Sequence, residues 1–364
     1  MGISSSLGSS ALLPAGLGFR NKVINGDMRI AQRGTSAITG SGSAQYPVDR
    51  WIALSSTTNS ITYQQVADAP AGFTYSVKAT SGASGSSYSA SNYTFLYQKI
   101  EGFNIADLAW GTASAKPVSV SFWVKVSSGA VGTYSLCLES YTGTMNYIAT
   151  YTVNSANTWE YKTIFVPGPT SGSFPVDNTI GLQIDFTLGV GSSLESAANV
   201  WTSSAKYAAS GSVDLGSLSS ATWQITGVQL EQNYQPTPFE QRPIGIELEL
   251  CMRYYEDSIL PLSIAGSYAA GLGGNTYVSA VFFKVPKRIG VTTINGSTDS
   301  PGVLRLWNGV LGTLGSVAIY RGGWAHPTII GADLSSSFGF SLTTQGSTTD
   351  AAMAWFRYAF SAEL

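Results

Sequence analysis

Charge is what this sequence most lacks. Only 11% of its 364 residues are Asp, Glu, Lys or Arg, against roughly 25% in ordinary soluble domains. The 19 basic and 21 acidic residues nearly cancel, leaving a formal net charge of -2. A polyanion-binding face needs clustered cations that displace counterions from phosphates, so nucleic acid is excluded as a partner. There is one histidine, His326, and there are two cysteines, Cys137 and Cys251. Two distant cysteines make neither a disulfide scaffold nor a thiolate metal site, and both are expected as small buried side chains. One loop histidine, no G-x-S-x-G turn and no nucleophilic cysteine signature speak against a hydrolase triad. No apolar run reaches the ~20 residues of a membrane span, so no membrane insertion is expected. Residues 1–19 lack the basic and apolar regions of an export signal. Met1-Gly2-Ile3-Ser4-Ser5-Ser6 formally fits a permissive lipidation pattern, but a Ser/Gly-rich arm that orders against a neighbouring subunit is the better reading.

What is abundant is aromatic side chains, at 12%, and glycine, at 40 residues. Both suit short strands joined by tight turns. Val118 to Val126 alternates strictly, placing Val118, Val120, Phe122, Val124 and Val126 on one face and Ser119, Ser121, Trp123 and Lys125 on the other. Similar runs fall at Tyr134–Tyr141, Tyr147–Val153, Trp159–Val166, Ile180–Leu188 and Trp223–Glu231, with Gly, Asn, Pro and Ser between them. Gly189–Ser220 reads as a long surface excursion. Three prolines in Gln235–Pro243 make an extended linker. Ile244–Asp257 has Ile244, Leu248, Cys251 and Tyr255 at helical spacing and predicts the chain's one convincing helix. Beyond it, Tyr277–Phe283, Val303–Trp307, Val317–Arg321, Phe338–Leu342 and Ala354–Phe360 return to strand patterns, with hairpin turns expected at Asn295-Gly296 and Asn308-Gly309. The fold expected is all-β: an N-terminal arm (1–20), a jelly-roll β-sandwich (21–235), a proline-rich linker and short helix (236–257) and a second, smaller β-sandwich (258–364).

Three segments carry a resemblance: Phe19-Arg20-Asn21-Lys22-Val23-Ile24-Asn25-Gly26-Asp27-Met28-Arg29-Ile30-Ala31-Gln32-Arg33-Gly34 with Tyr46-Pro47-Val48-Asp49-Arg50-Trp51; Trp223-Gln224-Ile225-Thr226-Gly227-Val228-Gln229-Leu230-Glu231 leading to Pro238-Phe239-Glu240; and Leu248-Glu249-Leu250-Cys251-Met252-Arg253-Tyr254-Tyr255. Together they resemble tail-fibre and related appendage proteins of tailed bacteriophages. The first two are also similar to the opening and closing strands of jelly-roll carbohydrate-binding modules. The resemblance implies a structural, non-enzymatic component of a virion appendage, made in the host cytoplasm and assembled as a homotrimer. Its N-terminal part would dock to other virion proteins, and its distal β-domain would meet a glycan or protein receptor on the host surface. A capsid or baseplate decoration protein without a receptor role is the alternative. Such modules often hold a structural calcium, which here points to Asn25, Asp27 and Glu231 as oxygen ligands. The competing reading is a tight turn at Asn25–Asp27, with Glu231 paired to Arg29 or Arg50.

Glycan binding needs exposed rings that stack on sugar C–H groups beside amides or charges. Trp123 and Lys125 on the polar face of their strand are the clearest candidates, with subunit packing as the competing role for Trp123. Distal loops carrying Tyr268, Trp307, Trp324 and His326 form a second candidate surface. Glycan cleavage by a tailspike depolymerase would need two carboxylates, for which Glu139 and Asp185 stand nearest on their strands.

Overall fold

The structure is a computed structural model. It describes residues 19–56, 61–85, 88–140, 145–257, 282–289 and 358–364, together with the backbone of the strands between 262 and 357. The alternation read from the sequence becomes two facing antiparallel sheets. A six-stranded sheet runs in the spatial order Ile38–Thr39, Thr62–Val66, Ser76–Thr80, Thr222–Glu231, Val118–Val126, Glu160–Val166. A seven-stranded sheet runs Trp201–Thr202, Asn146–Val153, Gly132–Glu139, Ile180–Val190, Tyr93–Glu101, Trp51–Ser55, Gln45–Val48. Sequential strands repeatedly cross between the sheets, as in a jelly roll. The inward residues of both build one core. All five apolar residues of the Val118–Val126 face are at most 1% exposed, and Trp51, Phe122, Phe186 and Trp223 meet at tilted and edge-to-face angles in its centre.

The excursion after Gly189 is ordered: Glu195–Ser196 pairs in parallel with Ala208–Ala209, and Trp201–Thr202 joins the seven-stranded sheet. The helix is shorter than expected, Ile244–Met252. Its expected last turn is instead a strand, Tyr255–Asp257, hydrogen-bonded antiparallel to Ser361–Ala359, because those three residues gain more by completing a sheet than by extending a helix end. Met353–Ser361 is the centre of that C-terminal sheet, pairing also with Val303–Trp307, Leu262–Ala265 and Ala318–Ile319. A four-stranded sheet of Ser267–Tyr268, Asn275–Phe282, Gly339–Gly346 and Thr328–Asp333 accompanies it. The expected arm up to residue 18 and both Asn-Gly turns lie outside the described residues.

The two quoted N-terminal segments recognise each other. Asn25 takes a left-handed φ of 57°, which asparagine tolerates better than most residues. Its side chain bonds both ways with Ile30 (2.9 Å each) and donates to the Asp49 carbonyl. The Trp51 indole N–H donates back to the Asn25 carbonyl at 3.0 Å. Around this knot a charged junction ties in the chain's last residues. Arg33 stacks between the rings of Tyr46 and Tyr255, Arg50 lies 3.5 Å over Tyr254, and both guanidiniums pair with Glu363. Arg253 forks onto Glu101, which also accepts from the Tyr254 hydroxyl.

Candidate functional site

The strand Val118–Val126 presents its polar face on the outside of the six-stranded sheet. The register sets Trp123 between Tyr161 and Thr226, Ser121 between Thr163 and Gln229, Ser119 between Phe165 and Glu231, and Lys125 beside Gln224. Glu160–Val166 borders this sheet, so its outward side chains stand free: Tyr161 is 43% and Phe165 46% exposed. Along an extended strand these two are about 13 Å apart. Trp123 is half-buried, its ring 5.3 Å from that of Tyr161. Phe165 is stacked at 5.7 Å with Tyr234, itself 70% exposed in the loop after the sheet's last strand. At the other end Lys125 pairs with Asp68 and lies 5.0 Å over the Trp159 ring. The Lys125 ammonium holds Asp68 below the usual carboxylate range.

Beneath these rings hydrogen-bonding capacity is unspent. Among the described residues the buried Ser119 Oγ, Thr226 Oγ1 and Gln224 Oε1 have no partner, although buried polar groups are normally paired. Chemically, the face is a row of apolar ring surfaces with the exposed Thr163 hydroxyl between Tyr161 and Phe165. It suits an extended, hydroxyl-rich, uncharged ligand. Trp123 and Lys125 lie on the outer face of their strand, as the alternation implied. Tyr161, Phe165, Trp159 and Tyr234 join them, and the signal was present: in Glu160–Val166, Tyr161, Thr163 and Phe165 alternate with the buried Ile164 and Val166.

Of the distal candidates, two lie on strands rather than in loops. Tyr268 and Trp307 sit on strands, Ser267–Tyr268 and Val303–Trp307, which belong to different sheets. Their side chains, like Trp324 and His326 altogether, lie outside the described residues.

Each expected calcium ligand has a protein partner, although Asp27 Oδ1 is buried with none among the described residues. Asn25 is fixed in the turn just described, Asp27 pairs with Arg29, and Glu231 accepts from the Thr237 amide and hydroxyl and from Gln229. The partner of Glu231 is thus the linker rather than Arg29 or Arg50. Among the described residues no group of three or more His, Cys, Asp or Glu is placed to hold a metal.

A second constellation lies on the outside of the seven-stranded sheet. The Gln183 amide donates at 2.7 Å to both Glu139 and Asp185, so the two oxygens are at most twice that distance apart. That approaches the roughly 5–5.5 Å of retaining glycosidases. The excursion nevertheless closes over them: Asn146 and the Cys137 thiol donate to the Lys206 carbonyl, Thr187 donates to the Tyr207 carbonyl, and the Tyr207 ring packs on Phe95. Asp185 is fully buried and Glu139 only 9% exposed. Burial pushes Glu139 up to about 7 and raises Asp185, whose ionisation the Glu139 charge opposes further. The geometry leaves no room for a sugar to reach both.

No family model and no curated protein matches the chain. Among solved structures it is similar to the enzymatically active domain of tailspike protein 4 of bacteriophage CBA120, at 14% identity and a TM-score of 0.33, over 59% of this chain and 22% of that one. It is similar too to a xylan-binding domain from Paenibacillus barcinonensis, at 14% identity and 0.30, over 50% of this chain and 92% of that one. A family 11 carbohydrate-binding module from Clostridium thermocellum aligns at 13% identity and 0.28, over 55% and 95% respectively.

Proposed function

We propose that this chain is a non-enzymatic structural component of a bacteriophage virion appendage whose jelly roll binds glycan across the outer face of its six-stranded sheet. The observation that carries the binding half is the row of rings on that face, the exposed Tyr161 beside the half-buried Trp123 and, further along, the exposed Phe165–Tyr234 stack. The appendage half is supported by the first and third quoted segments, which supply Arg33, Arg50, Arg253 and Tyr254 to a buried junction between the sandwich and the C-terminal strands. Other virion proteins and further copies of this chain are the partners this reading supplies.

The test is titration calorimetry against a panel of neutral and acidic bacterial polysaccharides. Tyr161→Ala and Trp123→Ala should each weaken binding of a neutral glycan about three- to tenfold, the worth of one aromatic contact. Wild-type protein that binds nothing in the panel, or a double variant that binds unchanged, overturns the reading. Release of oligosaccharide during incubation would make the chain a depolymerase instead.

A second reading is favoured by the position of the rings on a border strand, where unpaired backbone and apolar side chains invite another chain. In it the face is a contact of the homotrimer. Light scattering then finds the double variant monomeric, with glycan binding unaffected.

A further inference from the structure

A separate cavity of about 470 Å³ opens where the described chain begins; the apolar Phe19, Ile24, Phe103, Ala106 and Leu250 share its wall with Asn21, Asn104, Lys22, Asp107 and Arg242. Its surroundings are unusually apolar for a surface: Phe103 is 60%, Phe19 54% and Ile246 38% exposed. Ile246 and Leu250 are four residues apart and share one side of the helix. Lys22 and Asp107 satisfy each other at 2.7 Å, and Arg242 pairs with Glu240 and Glu247, so an uncharged occupant would leave no charge unpaired.

We propose that this groove is the seat of the chain's own residues 1–18. Three observations select that occupant. None of those residues has a charged side chain, and Ile3, Leu7, Leu12, Leu13 and Leu17 are apolar. They join the described chain at Phe19, which itself lines the groove, so the arm starts at its lip. Phe19 has a left-handed φ of 58°, a conformation a bulky residue rarely takes. It turns the backbone sharply there. A segment tethered this closely has an effective concentration in the millimolar range, so docking within the chain outcompetes docking between chains. The arm would cover Phe103, Ile246 and Leu250, which otherwise form an adhesive patch.

Cysteine pairing tests this in the full chain, because the native Cys137 and Cys251 are buried and stay silent. Phe103→Cys is combined in turn with Leu7→Cys, Leu12→Cys, Leu13→Cys or Leu17→Cys and oxidised gently. The expected result is an intramolecular bridge from at least one position, seen as an oxidised monomer by intact mass and non-reducing gel. Bridges only between chains, or none from any position in folded protein, overturn the proposal. Amide exchange gives a second readout: a chain lacking residues 1–18 should exchange roughly tenfold faster across Gly102–Leu108 and Ile244–Met252. Unchanged rates there in a folded truncated chain would equally overturn it.

Discussion

The acidic pair under the excursion is the least settled chemistry in the sandwich. Two carboxylates held by one amide in a buried site cannot both ionise cheaply. Because burial raises Glu139 to about 7, above its unfolded value of roughly 4.3, the native state keeps a proton that the unfolded chain has already released. Its contribution to stability is therefore complete below the unfolded pKa and is lost as pH rises through about 7. Asp214, which burial lifts to about 6, adds a term of the same sign. The thermal midpoint should accordingly fall between about pH 5 and pH 8, and Glu139→Gln, which imitates the protonated form, should flatten that fall. Calorimetric scans across this range decide it: a midpoint that climbs with pH, or a slope identical in Glu139→Gln, removes the proposed role of the pair.

At the level of elements, the closing strand Thr222–Glu231 is shaped by close backbone approach. It bulges between Thr226 and Gln229, with Gly227 at a φ of 63° beneath Phe73 and Trp123. Just beyond, the opening segment presses against it: Val228 N–H donates to the Gly26 carbonyl at 2.9 Å, and Asn21 donates to the Val228 carbonyl at 3.0 Å. A methyl group on Gly26 would collide with that carbonyl oxygen. Gly26→Ala should destabilise the sandwich by about 1–3 kcal/mol, read as a lower urea midpoint with unchanged slope. A shift within about 0.5 kcal/mol would mean that the two segments separate freely.

Elements of this kind mark the limit of what the sequence discloses. Strict alternation located Val118–Val126 residue for residue and Trp123 on its outer face, because period-two burial is a local property. The glycine at position 26 was visible, but not the carbonyl that requires it, which comes from a strand about two hundred residues later. Tyr255 carried the helical period of its neighbours and still became a strand, since the partner at Ser361 is remote. The same holds for the ring platform: its members come from separate strands and a loop, and only pairing brings them into one row.

Across the whole molecule the most consequential contact joins residues 313 apart. The Arg50 guanidinium and the Glu363 carboxylate are 2% and 1% exposed. Arg50 belongs to the sandwich, while Glu363 follows the strand at the heart of the C-terminal sheet. Neighbouring bonds run the same way: Lys99 donates to the Leu364 carbonyl at 2.8 Å, and Arg288 donates to the carbonyls of Ala362, Glu363 and Asn178. The junction thus makes the stability of each half depend on the other. Glu363→Ala strands a buried cation, which costs about 3–5 kcal/mol, whereas exchanging both partners for apolar residues of similar volume is often close to neutral. In calorimetry the wild-type chain should unfold in one cooperative transition and Glu363→Ala in two, the sandwich melting apart from the C-terminal strands. Arg50→Met combined with Glu363→Leu should restore the single transition, because it removes the Arg50 charge while keeping the packing against Tyr254, and Arg33, which also loses Glu363, keeps Asp49 at 3.9 Å. Two transitions in the double variant would assign the coupling to the charge pair itself, and one transition in Glu363→Ala would assign it to the backbone bonds alone.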